Sequence, residues 1–174
     1  MVEMSVESVR INLATNQRVV ILREAQTDRY LFIWIANPEA YSIATELQGT
    51  TSPRPLTHDL LKSVIVELGA TLTHIVINDL SDDIFYARLV FDASGRHVEV
   101  DSRPSDAIAL AVRMKVPIYV ADKVMEQASV QLQNVDEEIS PSERRERRKV
   151  DDNLDVFRDF INTLDALDEF GKQD

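Results

Sequence analysis

Two periods of apolar spacing divide most of the chain into short strands and amphipathic helices. Runs of apolar residues, or alternations of apolar and polar residues, predict strands because successive side chains in a strand point to opposite faces. By this criterion, strands are predicted at residues 4–13, 19–22, 30–35, 72–79, 85–91, 97–100 and 118–120. The third of these is almost entirely apolar, which predicts that it is buried on both faces.

Helices are predicted at residues 38–48, 58–68, 104–114 and 122–128. Asn37 and Thr57 are the predicted N-caps of the first two helices, and Gly49 and Gly69 are the residues that end them. Two prolines restrict the backbone of the segment that connects these helices. We therefore expect this segment to hold Arg54 at a defined place.

The order of the elements predicts an α/β fold of the α+β type. Three consecutive strands within residues 72–100 form a predicted meander, with a turn at Ser94 and Gly95 between the last two. Strands precede this meander, and a helix and a strand follow it. The expected architecture is a mixed β-sheet on which about three helices pack.

The chain is predicted to comprise one domain at residues 1–136 and a charged helical appendage at residues 137–174. Residues 144–149 form the only basic run, but acidic residues interleave with it, which favours a solvated helix over contact with nucleic acid. Apolar residues recur at helical spacing within 154–167 and predict an amphipathic helix. That helix is expected to cover the domain's own surface or, as the less favoured alternative, a partner subunit.

Composition limits the classes of function. The 174 residues have a net charge of −11, which argues against a protein that holds nucleic acid by bulk electrostatic attraction. The chain has no cysteine, so disulfides and thiolate metal sites are excluded. No apolar stretch approaches the roughly 18 residues that a membrane span needs, and we expect a cytoplasmic protein that does not bind membranes.

Polar side chains crowd the junction between the last strand of the meander and the third helix, where Asp101, Arg103, Ser105 and Asp106 lie. Amide groups at a helix start can hold an anion, and the two carboxylates five positions apart can hold a divalent cation. The alternative is purely structural. In that case Ser102 caps the helix, and Asp106 interacts favourably with the helix dipole.

A second polar cluster lies at the start of the second helix. His58 has Asp59 beside it and Arg54 four residues earlier, and it can titrate, ligate a metal or bind phosphate. Alternatively, His58 is a first-turn residue that forms a hydrogen bond with the proline-rich connector. Arg88 lies on a predicted strand, where it either forms an ion pair, for instance with Asp101, or binds a phosphate.

Six segments occur in an order and spacing that match one protein family. They are Tyr30-Leu-Phe-Ile-Trp-Ile35, Glu39-Ala-Tyr-Ser-Ile-Ala44, Ser52-Pro-Arg-Pro-Leu-Thr-His-Asp-Leu-Leu61, Ile84-Phe-Tyr-Ala-Arg-Leu89, Val100-Asp-Ser-Arg-Pro-Ser-Asp-Ala-Ile-Ala-Leu110 and Pro117-Ile-Tyr-Val120. Together they resemble the bifunctional nuclease domain family over roughly residues 4–130. The sequence departs from the family at Phe32, where proline is usual, and at Ala36-Asn37-Pro38, which replaces a glycine-led turn.

The resemblance implies a nuclease of low sequence specificity that cleaves RNA and DNA with the help of a divalent metal, Mg²⁺ or Mn²⁺. The residues predicted for its site are Asp101, Asp106 and His58 as catalytic residues, Arg54, Arg103, Arg88 and Ser105 as substrate-binding residues, and Asp101 and Asp106 as metal ligands. The alternative is a non-enzymatic module whose helix-start turn binds an anion, a nucleotide or a protein. A homodimer is also expected, because the strand at 30–35 and the last helix present apolar residues that three helices do not obviously cover.

Overall fold

A computed structural model describes residues 1–12 and 15–131. Its elements are β1 (Val2–Ile11), β2 (Arg18–Glu24), β3 (Arg29–Ile35), α1 (Asn37–Leu47), α2 (Thr57–Glu67), β4 (Ala70–Ser81), β5 (Ile84–Ala93), β6 (Arg96–Ser102), α3 (Pro104–Met114), β7 (Ile118–Val120), α4 (Asp122–Ala128) and β8 (Val130–Gln131). This fold belongs to the first of two units into which the chain divides, Met1–Gln133 and Asn134–Asp174. The predicted appendage at 137–174, with its basic run and its apolar stripe, lies outside the described residues.

The eight described strands form one mixed sheet in the order β6-β5-β4-β7-β1-β2-β3-β8. Strand β7 pairs in parallel with β4 and antiparallel with β1, so it joins two antiparallel meanders, β4-β5-β6 and β1-β2-β3. Ser94 and Gly95 both have positive φ angles, 57° and 78°, as a tight hairpin turn between β5 and β6 requires. The predicted mixed sheet and its meander are confirmed.

Helix α3 is the centre of the helical layer. It contacts β3, β4 and β5 on the sheet and has α1 and α2 as neighbours. Most of its apolar side chains, among them Ile108 and Leu110, are fully buried. Because α3 lies against both neighbouring helices, the residues at its start are close to those of α1 and α2.

Helix α2 is oriented unusually, since most of its apolar residues face outward. Among its apolar side chains only Ile65 is buried, whereas Leu60, Val64 and the neighbouring Leu68 are exposed. Its inner face is polar, and Lys62 donates a hydrogen bond from Nζ to the backbone oxygen of Arg113 at 2.9 Å. Polar contacts of this kind take the place of the apolar contacts that usually bury such a helix.

Burial on both sheet faces is found in β2 rather than in β3, where it was predicted. The side chains of Val19 and Val20, which point to opposite faces, are 1% and 0% exposed. In β3, Leu31 and Ile33 belong to the core, but Trp34 on the opposite face is 47% exposed. The position of a strand within the sheet explains the difference, because β2 has long partners on both sides and β3 pairs with the two-residue strand β8.

Two predicted N-caps are wrong by one residue. The N-cap of α1 is Ala36, and Asn37 instead accepts a hydrogen bond from Arg18. The N-cap of α2 is Leu56, whose amide donates to Asp59 Oδ2 at 2.8 Å. Among the described residues, no helix is long and apolar enough to cross a membrane.

Candidate functional site

The turn between β6 and α3 is the first part of the site. Arg103 is the N-cap of α3 and has an extended backbone, and Pro104 follows as the first helical residue, a position that suits its fixed φ. The predicted cap by Ser102 is wrong, because its buried Oγ has no hydrogen-bond partner within the described part of the chain. The side chain of Arg103 instead reaches Asp106, in the first turn of α3, and Glu39 on α1.

Arg103 binds two carboxylates at once. Its Nε donates to Asp106 Oδ2 at 2.7 Å, and one terminal nitrogen donates to Asp106 Oδ1 at 3.1 Å and to Glu39 Oε1 at 2.5 Å. These hydrogen bonds, first to Asp106 and then to Glu39, raise the pKa of Arg103 above its ordinary value. The guanidinium is 64% exposed, so it remains in contact with solvent while both carboxylates hold it.

Glu39 is a buried acid in the first turn of α1, with 8% of its surface exposed. Its Oε1 accepts the bond from Arg103, but its Oε2 has no hydrogen-bond partner among the described residues. Buried polar atoms are normally paired, since leaving one unpaired costs about 1–3 kcal/mol. The unpaired oxygen beside the exposed side chain of Arg103 makes Glu39 a candidate functional residue.

His58 joins the start of α2 to this group. Its Nε2 lies 3.1 Å from Asp106 Oδ1, and its Nδ1 lies 2.9 Å from Ser42 Oγ on α1. The imidazole is buried, with 8% of the side chain exposed, and both ring nitrogens have partners inside the protein. Its predicted alternative partner, the proline-rich connector, forms none of these hydrogen bonds.

A buried arginine forms hydrogen bonds beside the same residues. The guanidinium of Arg113, which is 2% exposed, donates to Asp59 Oδ1 at 2.7 Å and to the backbone oxygen of Ser42 at 3.0 Å. The hydrogen bond from Arg113 holds the pKa of Asp59 below its ordinary value, against the opposing effect of burial. Arg113 thus ties α3 to the helices that carry Ser42 and His58.

Residues at or near the starts of three helices therefore meet in one cluster, which comprises Glu39, Ser42, His58, Arg103 and Asp106 and which we call the helix-start cluster. The N-terminal ends of helices carry partial positive charge and unpaired amide groups. Helix starts favour negative charge beside them, which the carboxylates of Glu39 and Asp106 supply in this cluster.

Three of the seven predicted site residues, His58, Arg103 and Asp106, are in direct contact. Arg88 and Asp101 are opposite each other on β5 and β6, but the ion pair of Arg88 is with Glu99, at 2.8 Å. The remaining two predicted site residues, Arg54 and Ser105, differ in their exposure.

Arg54 is exposed in the connector before α2, whereas Ser105 is buried in the first turn of α3. Within residues 1–12 and 15–131, no group of three or more His, Asp or Glu side chains is arranged to hold a metal ion.

Sequence reasoning missed Glu39, Ser42 and Arg113. Glu39 and Ser42 lie three positions apart on the buried face of α1, where polar residues interrupt the apolar pattern. Polar residues at helical spacing on an inward face were the available signal. Arg113 gave no such signal, because an arginine in the last turn of a helix is usually explained by its favourable interaction with the helix dipole.

Comparison with known proteins identifies the family to which the chain belongs. Residues 20–133 match the bifunctional nuclease domain. An uncharacterized protein of Mycobacterium tuberculosis (strain CDC 1551 / Oshkosh) is 42% identical over 166 residues, which cover 95% of this chain and 96% of that protein. Bifunctional nuclease 1 of Oryza sativa subsp. indica is 28% identical over 114 residues, 64% of this chain and 34% of the plant protein.

Bifunctional nuclease 2 of Oryza sativa subsp. japonica is 31% identical over 108 residues, which cover 60% of this chain and 33% of the plant protein. The plant relatives therefore share one domain with this chain and are about three times as long as the shared part. That shared domain includes every residue of the helix-start cluster. The match to this domain covers residues 20–133, more than half of the chain, and the chain therefore belongs to the bifunctional nuclease domain family.

Proposed function

We propose that the domain is a nuclease of low sequence specificity that hydrolyses RNA and DNA, with the helix-start cluster as its reaction centre. The observation that supports this proposal is the meeting of an exposed guanidinium, two carboxylates and an imidazole at three helix starts. Phosphodiester hydrolysis needs a cation for the phosphate and a group that takes a proton from water. The cluster contains both, in a chain related to plant proteins named bifunctional nucleases.

Arg103 is the proposed phosphate-binding residue. A guanidinium has five N–H donors, and Asp106 and Glu39 use those of Nε and of one terminal nitrogen. The two donors of the other terminal nitrogen have no partner within the described residues and can bind a phosphate oxygen. The amide groups at the start of α3, including that of Ser105, and the exposed Arg54 and Arg88 are the further proposed contacts for the substrate.

Asp106 is the proposed proton acceptor. In the hydrolysis, the oxygen of a water molecule bonds to phosphorus, one P–O bond breaks, and the leaving oxygen takes a proton from solvent. The water's proton passes to Asp106, whose carboxylate is 28% exposed. His58 is too deeply buried to touch the substrate, so we propose that it assists proton transfer through its hydrogen bond to Asp106.

Metal assistance through Asp101 and Asp106 is a separate part of the proposal. Magnesium is commonly bound by one or two carboxylates together with substrate phosphates, so two acids suffice only when substrate is present. The donor set fits such an ion loosely, because Asp106 already accepts hydrogen bonds from Arg103 and His58. When bound, the metal would stabilise negative charge on the phosphate and activate water.

The test is cleavage of single-stranded RNA and DNA by the purified full-length protein. We expect Arg103→Gln and Asp106→Asn each to lower kcat/KM by about 100-fold or more, as loss of a transition-state contact does. Arg29→Gln is the matched control, because Arg29 pairs with Glu24 on the sheet and does not contact the cluster. Cleavage that persists in both cluster variants would contradict the proposed centre.

Two further outcomes of this assay separate the parts of the proposal. Activity that is lost in EDTA and restored by Mg²⁺ or Mn²⁺ supports metal assistance, and undiminished activity in EDTA removes that part alone. A nucleotide-dependent rise in melting temperature without cleavage supports a non-enzymatic binding module instead, since a ligand at 100 times its Kd stabilises the folded state by about 2.7 kcal/mol.

We also propose that the protein forms a homodimer. Trp34 on the sheet is 47% exposed, and Leu60, Val64 and Leu68 form an exposed apolar surface on and beside α2. Contiguous apolar surfaces of this kind usually mark interfaces in soluble proteins. Light scattering at micromolar concentration is expected to give twice the mass of the 174-residue chain, and a monomer mass would contradict the proposal.

A further inference from the structure

The proposed reaction assigns no role to the hydroxyl group of Ser42, which belongs to the helix-start cluster. Ser42 lies on α1 and is 4% exposed, so substrate does not reach it. Its Oγ lies 2.9 Å from His58 Nδ1, and the other nitrogen of that ring lies 3.1 Å from Asp106 Oδ1. Ser42 and Asp106 therefore hold the imidazole from opposite sides.

The chemistry of the partners decides where the ring carries its hydrogen. An ionised carboxylate only accepts hydrogen bonds, so the bond between His58 and Asp106 requires a hydrogen on Nε2. In a neutral imidazole, Nδ1 is then an acceptor and needs a donor. The hydroxyl of Ser42 is the group placed to donate to it.

The position of Ser42 is itself constrained. Its backbone oxygen accepts a hydrogen bond at 3.0 Å from Arg113, whose guanidinium is buried. Arg113 is held in turn by Asp59, the residue that follows His58 in α2. The serine and the imidazole are therefore linked twice, once directly and once through Arg113 and Asp59, which connect the helices that carry them.

We propose that Ser42 is a positioning residue: Asp106 requires the hydrogen of the His58 ring on Nε2, and the hydroxyl of Ser42, donating to Nδ1, fixes the ring so that this hydrogen is directed at Asp106. This hydrogen bond keeps Asp106 in the orientation in which Arg103 binds both of its oxygens. Without the hydroxyl, the buried Nδ1 has no donor, and the ring can rotate away from that orientation. Only the consequence for catalysis rests on the proposed nuclease function, because the hydrogen bond between Ser42 and His58 is a property of the folded protein.

The direct test is long-range ¹H–¹⁵N correlation of the histidine rings in the uniformly labelled full-length protein at pH 8 and pH 9. His58 is expected to show the pattern of a single Nε2–H tautomer. His58→Gln identifies its signals against those of the exposed His97, which bonds to Glu99. A pattern of Nδ1–H, or of a rapidly exchanging mixture, in the wild-type protein overturns the proposal without any Ser42 variant.

Ser42→Ala then tests the role of the hydroxyl. Ser63→Ala is the matched control, because Ser63 is exposed on α2 and bonds only to the backbone oxygen of Asp59. We expect Ser42→Ala to move the His58 Nδ1 resonance to that of a nitrogen without a hydrogen-bond donor and to lower kcat about tenfold with little change in KM, and Ser63→Ala to change neither. A Ser42→Ala protein whose His58 Nδ1 resonance matches that of wild type contradicts the proposal.

The two levels of the proposal fail separately. If the Nδ1 resonance of His58 changes as expected in Ser42→Ala but neither wild type nor variant cleaves nucleic acid, the positioning role is supported and the proposed function is contradicted. If wild type cleaves and Ser42→Ala keeps both its Nδ1 resonance and its kcat, the proposed function is supported and the role of Ser42 is contradicted.

Discussion

Replacing Arg113 by alanine tests whether the polar support behind the helix-start cluster stabilises the fold. Arg113 is 3% exposed, yet it carries a charge that three protein groups bind. Its Nε bonds to Asp59, and its terminal nitrogens bond to the backbone oxygens of Ala109 and Ser42. Truncation removes all three contacts together with the packing of the aliphatic part of the side chain.

The expected cost follows from what each partner loses. The buried backbone oxygen of Ser42 loses a donor, which costs about 1–3 kcal/mol. Asp59 loses a charged hydrogen bond, but its side chain is 36% exposed and water replaces part of that bond, so its share is at the low end of about 1.5–3 kcal/mol. We therefore expect Arg113→Ala to lower the free energy of unfolding by about 3 kcal/mol.

Urea unfolding followed by tryptophan fluorescence measures this change, because the single tryptophan, Trp34, lies in β3 of the same unit. A loss of about 3 kcal/mol corresponds to a fall in melting temperature of roughly 6–12 °C for a chain of this length. Arg88→Ala is the matched control. Arg88 also forms an ion pair, at 2.8 Å, but its side chain is 50% exposed and exposed pairs contribute about 0.2–1 kcal/mol.

A loss below about 1 kcal/mol in Arg113→Ala, or a loss equal to that of Arg88→Ala, would refute this reasoning. Either result would mean that solvent and local rearrangement replace the bonds of Arg113. An unchanged dependence of the free energy on urea concentration is part of the expectation, because a changed slope indicates a different unfolded or native state.

Three further results are expected. Asp59→Asn should destabilise the protein at pH 7, and the difference from wild type in urea midpoints should shrink toward pH 3. Arg113 lowers the folded-state pKa of Asp59 below its ordinary value of 3.8. The stabilisation is therefore present above pH 3.8 and is lost as pH falls through the folded-state pKa. A difference that stays constant over this range would exclude Asp59 as its source. Leu110→Ala should cost about 2–5 kcal/mol and Leu68→Ala, at 79% exposure, less than about 0.5 kcal/mol, with equal effects as the contrary result. Truncation after Asn134 should leave a domain with a cooperative melt, since the match to the bifunctional nuclease domain ends at residue 133, and aggregation of the truncated protein would count against the predicted boundary.

Local sequence signals predicted most of the elements. The hairpin between β5 and β6 follows from Ser94 and Gly95, whose positive φ angles suit a two-residue turn, and α3 begins at Pro104 as its sequence predicted. Each of these signals lies within a few residues of the structure that it determines. Strand β8, with only two residues, could not be predicted, because it exists through its pairing with β3.

The sheet order needed the folded chain. Strand β7 lies between β4 and β1 because its three residues pair with both at once, although more than a hundred residues separate it from β1. Which strand is buried on both faces also depends on this order. An apolar run in the sequence shows only that a strand can be buried on both faces, whereas the neighbouring elements decide whether it is.

The candidate site divides in the same way. The sequence by itself determined that His58, Arg103 and Asp106 are helix-start residues, because proline and polar residues before an apolar period are local signals. Only the tertiary structure decided that they touch, since 48 residues separate His58 from Asp106. It also brought in Glu39 and Ser42, through the packing of α1 and α2 against α3. The physical reason is that a helix start depends on its own few residues, whereas contact between three helix starts depends on how the helices pack on the sheet.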